Sequence, residues 1–97
     1  MVRVIVERHC KPGKEAELWT LLGELRGKVI NQSGHVSSET LRSLDDPTYW
    51  MVISTWTDTK HWKVWERSPK RKETVDKIKH VLAAPEKVSV FTFMIIG

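Results

Sequence analysis

Three tryptophans, Trp56, Trp62 and Trp65, fall within ten positions of the stretch WTDTKHWKVWERSP (56–69). An indole offers a broad flat apolar surface and one N–H that wants an acceptor when buried. Such groups either fill a core or wall a pocket for a planar aromatic ligand. Trp62 and Trp65 stand three apart, on one face of a helix, and can wall a pocket together. Trp56 closes a strand and reads as structural. Removing a phenolic proton from an aromatic ligand requires a base, and His9 is the candidate, because imidazole titrates near neutrality. Arg8, next to His9, and Tyr49 are the candidate polar contacts to the ligand, with Arg42 on a strand neighbouring Tyr49.

The remaining reactive side chains form no comparable set. His9, His35, His61 and His80 have no metal-ligand spacing, so no metal site is expected. Cys10 is the one cysteine, which rules out an internal disulfide and a cysteine cluster for zinc. It shares strand parity with Val4 and Val6 and lacks an activating helix N-terminus, so a nucleophilic role is not expected.

Positioning these residues requires strands and helices in the order β-α-β-β-α-β. Residues 2–10 alternate, with Val2, Val4, Val6, Arg8 and Cys10 on one face and Arg3, Ile5, Glu7 and His9 on the other, the period of a strand. The turn KPGK (11–14) opens a helix whose stripe is Leu18, Leu22, Leu25 and Val29, widened by Trp19, Leu21 and Ile30. Gly23 and Gly27 could permit close packing, and Gly34 in NQSG (31–34) can take a left-handed conformation after the helix. Strands are expected at 36–44 and 48–56, joined through the turn DDP (45–47). The second of these is apolar on both faces, as for a strand covered on both sides. Asp58 can cap a short helix at 59–67. Ser68 and Pro69 restart a second helix, whose stripe is Val75, Ile78 and Leu82 and which stops at Pro85. A last strand is expected over 87–96.

This order suits an α+β, ferredoxin-like fold: a four-stranded antiparallel sheet with helices on one face. The other face, carrying Ile5 and His9, is too apolar to stay wet, and a second copy covering it gives a symmetric homodimer. Ninety-seven residues make one domain, 1–97. No apolar run reaches the 18 or so residues of a membrane helix, and the N-terminus does not resemble a signal peptide, so a cytoplasmic protein is expected. The net charge of +4 concentrates in 60–80, where acidic residues interrupt the lysines and arginines, as on a solvated helix face. The same element order builds an RNA recognition motif, but no segment carries its stacking signature, so nucleic acid is not an expected partner.

The turn KPGK after the first strand, the segment SGHVSSETLRSLDDPTYWMVISTW, and the spacing W-T-D-x-x-x-W-x-x-W-x-x-S together resemble the antibiotic biosynthesis monooxygenase family. The resemblance implies a dimeric α+β barrel with a ligand pocket between helices and sheet in each subunit. It also implies cofactor-independent oxidation of quinol-type substrates in some members and haem degradation in others. Trp56, Trp65 and Ser68 fit the haem-degrading pattern. The position of its haem-ligand histidine falls on Val75, and that of its first-strand asparagine on Val6 or Arg8. Haem degradation is therefore not expected, His80 being able to replace the ligand only on a distorted helix. The expected function is a small cofactor-independent monooxygenase acting on an aromatic or quinol-type molecule. The alternative is a non-catalytic dimeric module binding a small aromatic or haem-like ligand.

Overall fold

The computed structural model describes residues 1–94. The elements are β1 (Val2–His9), α1 (Glu15–Val29), β2 (His35–Arg42), β3 (Tyr49–Trp56), α2 (Thr59–Glu66), α3 (Pro69–Lys79) and β4 (Lys87–Thr92). The strands form one sheet in the order β2-β3-β1-β4, every neighbouring pair antiparallel. Three helices accompany the four strands in a ferredoxin-like α+β fold, the second helical segment of the β-α-β-β-α-β order being divided into α2 and α3.

Alternation in β1 decides which face is covered. Val2, Val4, Val6 and Arg8 are buried, and in register beside them on β3 lie Trp56, Ser54, Val52 and Trp50. The helices pack on this face in two adjoining clusters. One joins Val2, Val4, Val6 and Trp56 to Val29, Trp62 and Trp65. The other joins Cys10 and Trp50 to Leu18, Leu22, Ile78, Val81 and Leu82. The opposite face carries Ile5, Met51 and Ile53 half-buried and Leu41 and Phe91 exposed.

Local chemistry sets the helix boundaries. The Asp58 side chain accepts from the His61 backbone N–H at 2.8 Å and starts α2. Ser68 accepts from Lys70 N–H at 3.2 Å and starts α3, with Pro69 at its first position; both caps satisfy donors that a helix start leaves free. Gly34 has φ +85°, and a Cβ there would come within 2.4 Å of the His61 side chain, so conformation and space both require glycine. Gly23 and Gly27, by contrast, have nothing within 4 Å of an added Cβ and confer no close packing. On α1, Leu18, Leu22 and Val29 are buried as expected, but Trp19 and Ile30 point outward.

Most strand and helix limits differ from the sequence reading by one or two residues, β2 ending at Arg42 and not at 44; two differences are larger. α3 ends at Lys79 instead of running toward Pro85. Beyond it the backbone is taken over by the end of β1: Lys11 N–H donates to Val81 O at 2.8 Å and Ala83 N–H to His9 O at 2.7 Å. Cys10 forms a bridge with Leu82. Leu82 is still buried, held by sheet pairing and not by the helix. β4 ends at Thr92; Phe93 and Met94 lie beyond it, and the rest of the expected strand, Ile95 and Ile96, lies outside the described residues. Among the described residues no helix is long and apolar enough to cross a membrane.

Candidate active site

Between the helices and the covered sheet face lies a cavity of about 50 Å³ whose walls include Trp56, Trp62, Trp65, Val6, Arg8 and Arg71. The three tryptophans are at most 3% exposed. They fill the core and wall the cavity at once. Trp56 donates its indole N–H to Ser54 Oγ at 3.0 Å and meets Trp62 edge-on, ring centres 5.8 Å apart. Trp56 is locked by that bond as part of the sheet. Trp62 and Trp65, on the short helix α2, form the helical side of the wall.

Opposite the indoles stands a buried ionic cluster. Arg8 is 2% exposed and Arg71 7%. Arg8 Nε donates to Glu86 Oε2 at 3.0 Å, with its Nη2 2.9 Å from the same oxygen. Arg71 Nη2 donates to Glu86 Oε1 at 3.2 Å. The Arg71 guanidinium lies 5.5 Å from the centre of the Trp62 ring, a cation–π arrangement. Burial pushes the Arg8 guanidinium below its ordinary value; Glu86 opposes that push and the Arg71 charge adds to it. Each side chain reaches the cluster from a different element. Arg8 comes from the inward parity of β1 and Arg71 from the buried stripe of α3. Glu86 comes from the segment before β4, which the 81–83 backbone bonds tie to the end of β1.

The structure thus brings Arg8, Trp62 and Trp65 together at one cavity. It does not bring His9 or Tyr49 there. Successive strand residues point to opposite faces, so His9 lies across the sheet from Arg8, stacked on Tyr49 with ring centres 4.7 Å apart. The Tyr49 hydroxyl donates to Glu7 Oε1 at 2.5 Å, and that bond, with lesser contributions from burial and the Glu7 charge, holds the phenol above its ordinary value. Arg42 turns to the helix side, 5.7 Å from the Trp50 ring centre. Trp19 and Trp50 line an open groove beside it, together with Ala16 and Leu41.

Sequence reasoning missed Arg71 and Glu86. Arg71 was hidden among the exposed lysines of α3. Its signal was its spacing, since 71, 75 and 78 repeat at i, i+4 and i+7 along the buried stripe. Glu86 had no periodic signal at all.

The side chains that would hold a haem iron do not converge on the cavity. Val75 is buried in the ligand position, and His80 is exposed at the end of α3, in a groove with Glu17 and Asp76. Among the described residues no three His, Cys, Asp or Glu side chains cluster as metal ligands. His35 packs edge-on to Trp56, its Nε2 buried without a hydrogen-bond partner, and burial lowers its imidazole below the ordinary value.

A family model described as antibiotic biosynthesis monooxygenase matches residues 1–77. Protein SchA of Streptomyces halstedii is 28% identical over 74 residues, 76% of this chain and 20% of that protein. The chain spans about a fifth of the length of the curated relatives it matches. Among solved structures, SnoaB, a cofactor-independent oxygenase from Streptomyces nogalater, superposes with a TM-score of 0.84 at 19% identity, covering 98% of this chain and 95% of that one. Rv0793 from Mycobacterium tuberculosis superposes with a TM-score of 0.88 at 18% identity, covering 98% and 96%. At these identities the solved structures establish the fold.

Proposed function

The chain belongs to the antibiotic biosynthesis monooxygenase family, and from that premise we propose that it is a cofactor-independent monooxygenase of an aromatic, quinol-type substrate, bound between sheet and helices. The observation that carries the reading is the indole-walled cavity, with Trp62 and Trp65 facing buried guanidiniums. Flat aromatic walls select a planar ligand, and the positive charges opposite them stabilise an anion formed on it.

In the proposed reaction the substrate loses a proton to solvent water as it enters, and its anion passes one electron to O₂. The radical pair recombines to a C–O bond, and the peroxide takes up the proton. Loss of water then leaves a carbonyl: the ring CH₂ of the phenol's keto tautomer becomes C=O while O₂ supplies that oxygen and one water. All four electrons come from the substrate, so no further reductant enters. The protein orients the ring, favours the anion and keeps water from the radical pair. Trp65 and Trp62 form the stacking wall and Arg8 the charge. Among the described residues no imidazole or carboxylate lines the cavity, so the guanidiniums promote ionisation by lowering the substrate's own pKa.

At about 50 Å³ the cavity is smaller than the roughly 150 Å³ that admits benzene in an engineered core. Substrate entry therefore moves a wall, and α2, at eight residues the shortest helix among the described residues, is the wall we propose to move. Catalysis would take place in a homodimer, the uncovered apolar sheet face of one subunit packing on that of another. The test is a titration with haemin and a panel of quinols, following tryptophan fluorescence, the Soret band and oxygen uptake. The expected result is saturable quenching by a quinol with oxygen uptake, both weakened in Trp65→Ala. Quenching by a quinol without oxygen uptake would overturn the oxygenase and leave a binding module.

A further inference from the structure

The cavity carries a charge that its own side chains leave unbalanced. Arg8 and Arg71 are each more than nine-tenths buried, and among the described residues they share the single carboxylate of Glu86. The contacts to Glu86 use Arg8 Nε and Nη2 and Arg71 Nη2. Arg8 Nη1 and the Nε and Nη1 of Arg71 do not meet it. Two buried cations on one anion leave an excess of one positive charge in a low-dielectric place, which is unfavourable unless something completes it. A planar guanidinium, here 5.5 Å from an indole ring centre, is also shaped for a carboxylate, which accepts two parallel N–H bonds. Arg26 also borders the cavity, bonded to Thr40 Oγ1 at 3.2 Å, but it is exposed and its charge is solvated, so it does not enter this balance.

We propose that Arg8 and Arg71 form an anion subsite, and that the ligand of this cavity is an aromatic molecule carrying a carboxylate or similar singly charged oxygen group beside its ring. The aromatic half of this inference rests on the function proposed above. The charged half rests on the arginine cluster alone. The ring stacks against Trp62 and Trp65, and the anion reaches the guanidinium edges that Glu86 does not occupy. Arg71 carries the discrimination, because removing it leaves Arg8 and Glu86 as a neutral pair.

The test compares three probes by tryptophan quenching and amide chemical shifts: benzoate, its neutral isostere benzamide, and formate, an anion without a ring. Benzoate is expected to bind at least tenfold more tightly than benzamide. Arg71→Gln is expected to bring the two within twofold, and Arg71→Lys to restore part of the difference. The wild-type comparison stands without any variant, should one fail to fold. Equal binding of benzoate and benzamide would overturn the anion subsite and leave the aromatic pocket intact. Binding of formate alone, abolished by Arg71→Gln, would support the subsite and remove the aromatic reading. No binding by any probe, or anion binding indifferent to Arg71→Gln, would overturn the subsite.

Discussion

Glu86→Gln is the substitution that strains this protein most at the least steric cost. It keeps the shape of the side chain and removes the one carboxylate that, among the described residues, joins two buried guanidiniums, 2% and 8% exposed at the side chain. Two unit positive charges repel by about 4 kcal/mol at about 4 Å and an effective dielectric of about 20, and by less as they separate. Breaking a buried ion pair by removing one partner costs about 3–5 kcal/mol. Glu86 itself is 15% exposed, so water reaches it and the lower half of that range applies. For a chain of this length the unfolding entropy near the melting point is roughly 0.2 kcal/mol per degree, so Glu86→Gln should lower the melting temperature by about 15–20 °C. Arg71→Gln should behave oppositely. It relieves the repulsion and leaves Arg8 paired one-to-one, while giving up a stacking contact worth about 0.5–2 kcal/mol, for a net change within roughly 1 kcal/mol of zero. Urea and thermal unfolding, followed by tryptophan fluorescence and far-ultraviolet circular dichroism, measure both. A Glu86→Gln loss below about 1 kcal/mol, the range of exposed pairs, would mean the guanidiniums are solvated and would refute the charge reasoning.

Gly34→Ala should cost more than about 2 kcal/mol, since a left-handed backbone adds roughly 1–2 kcal/mol to a Cβ collision with His61, whereas Gly13→Ala, at the same φ but in open space, should cost only the backbone part; paired urea melts decide. His35 should make stability fall on acidification: its folded-state pKa is lowered by burial, so the unfolded chain binds the proton first. Stability is then full above about pH 6.5 and lost as the pH falls toward the folded-state value, and His35→Phe should flatten that part of the pH–stability curve. Ile53→Glu, on the uncovered sheet face, should convert the proposed dimer to a monomer in light scattering without disturbing the cavity; an unchanged mass would place the interface elsewhere.

The architecture was largely written in periodicity. The alternation of Val2, Val4 and Val6 identified the covered face, and Asp58 and Ser68 announced two helix starts, because these signals are local. The site was only half legible. Trp62 and Trp65 were visible by type and spacing, but whether they wall a cavity or fill a core depends on volume, which spacing does not encode. His9 and Arg8 were nominated together although the period of a strand separates adjacent residues onto opposite faces; chemical type outweighed geometry there. Arg71 was obscured by the composition around it, since seven cationic neighbours between 60 and 80 made a solvated face the natural reading of every one. Glu86 became meaningful only once the chain after α3 was seen to return to β1, a long-range pairing.

That return of the chain makes the charge of the cavity a matter of loop length. Residues 81–83 are stitched to the end of β1 by the Lys11–Val81 and His9–Ala83 backbone bonds, and Glu86 follows three positions later. One residue inserted between Ala83 and Glu86 would carry the carboxylate past Arg8 while leaving every wall of the cavity in place, and its excess charge would rise from one to two. On the proposed anion subsite, ligand preference would then drift through insertions and deletions in a segment outside the cavity wall.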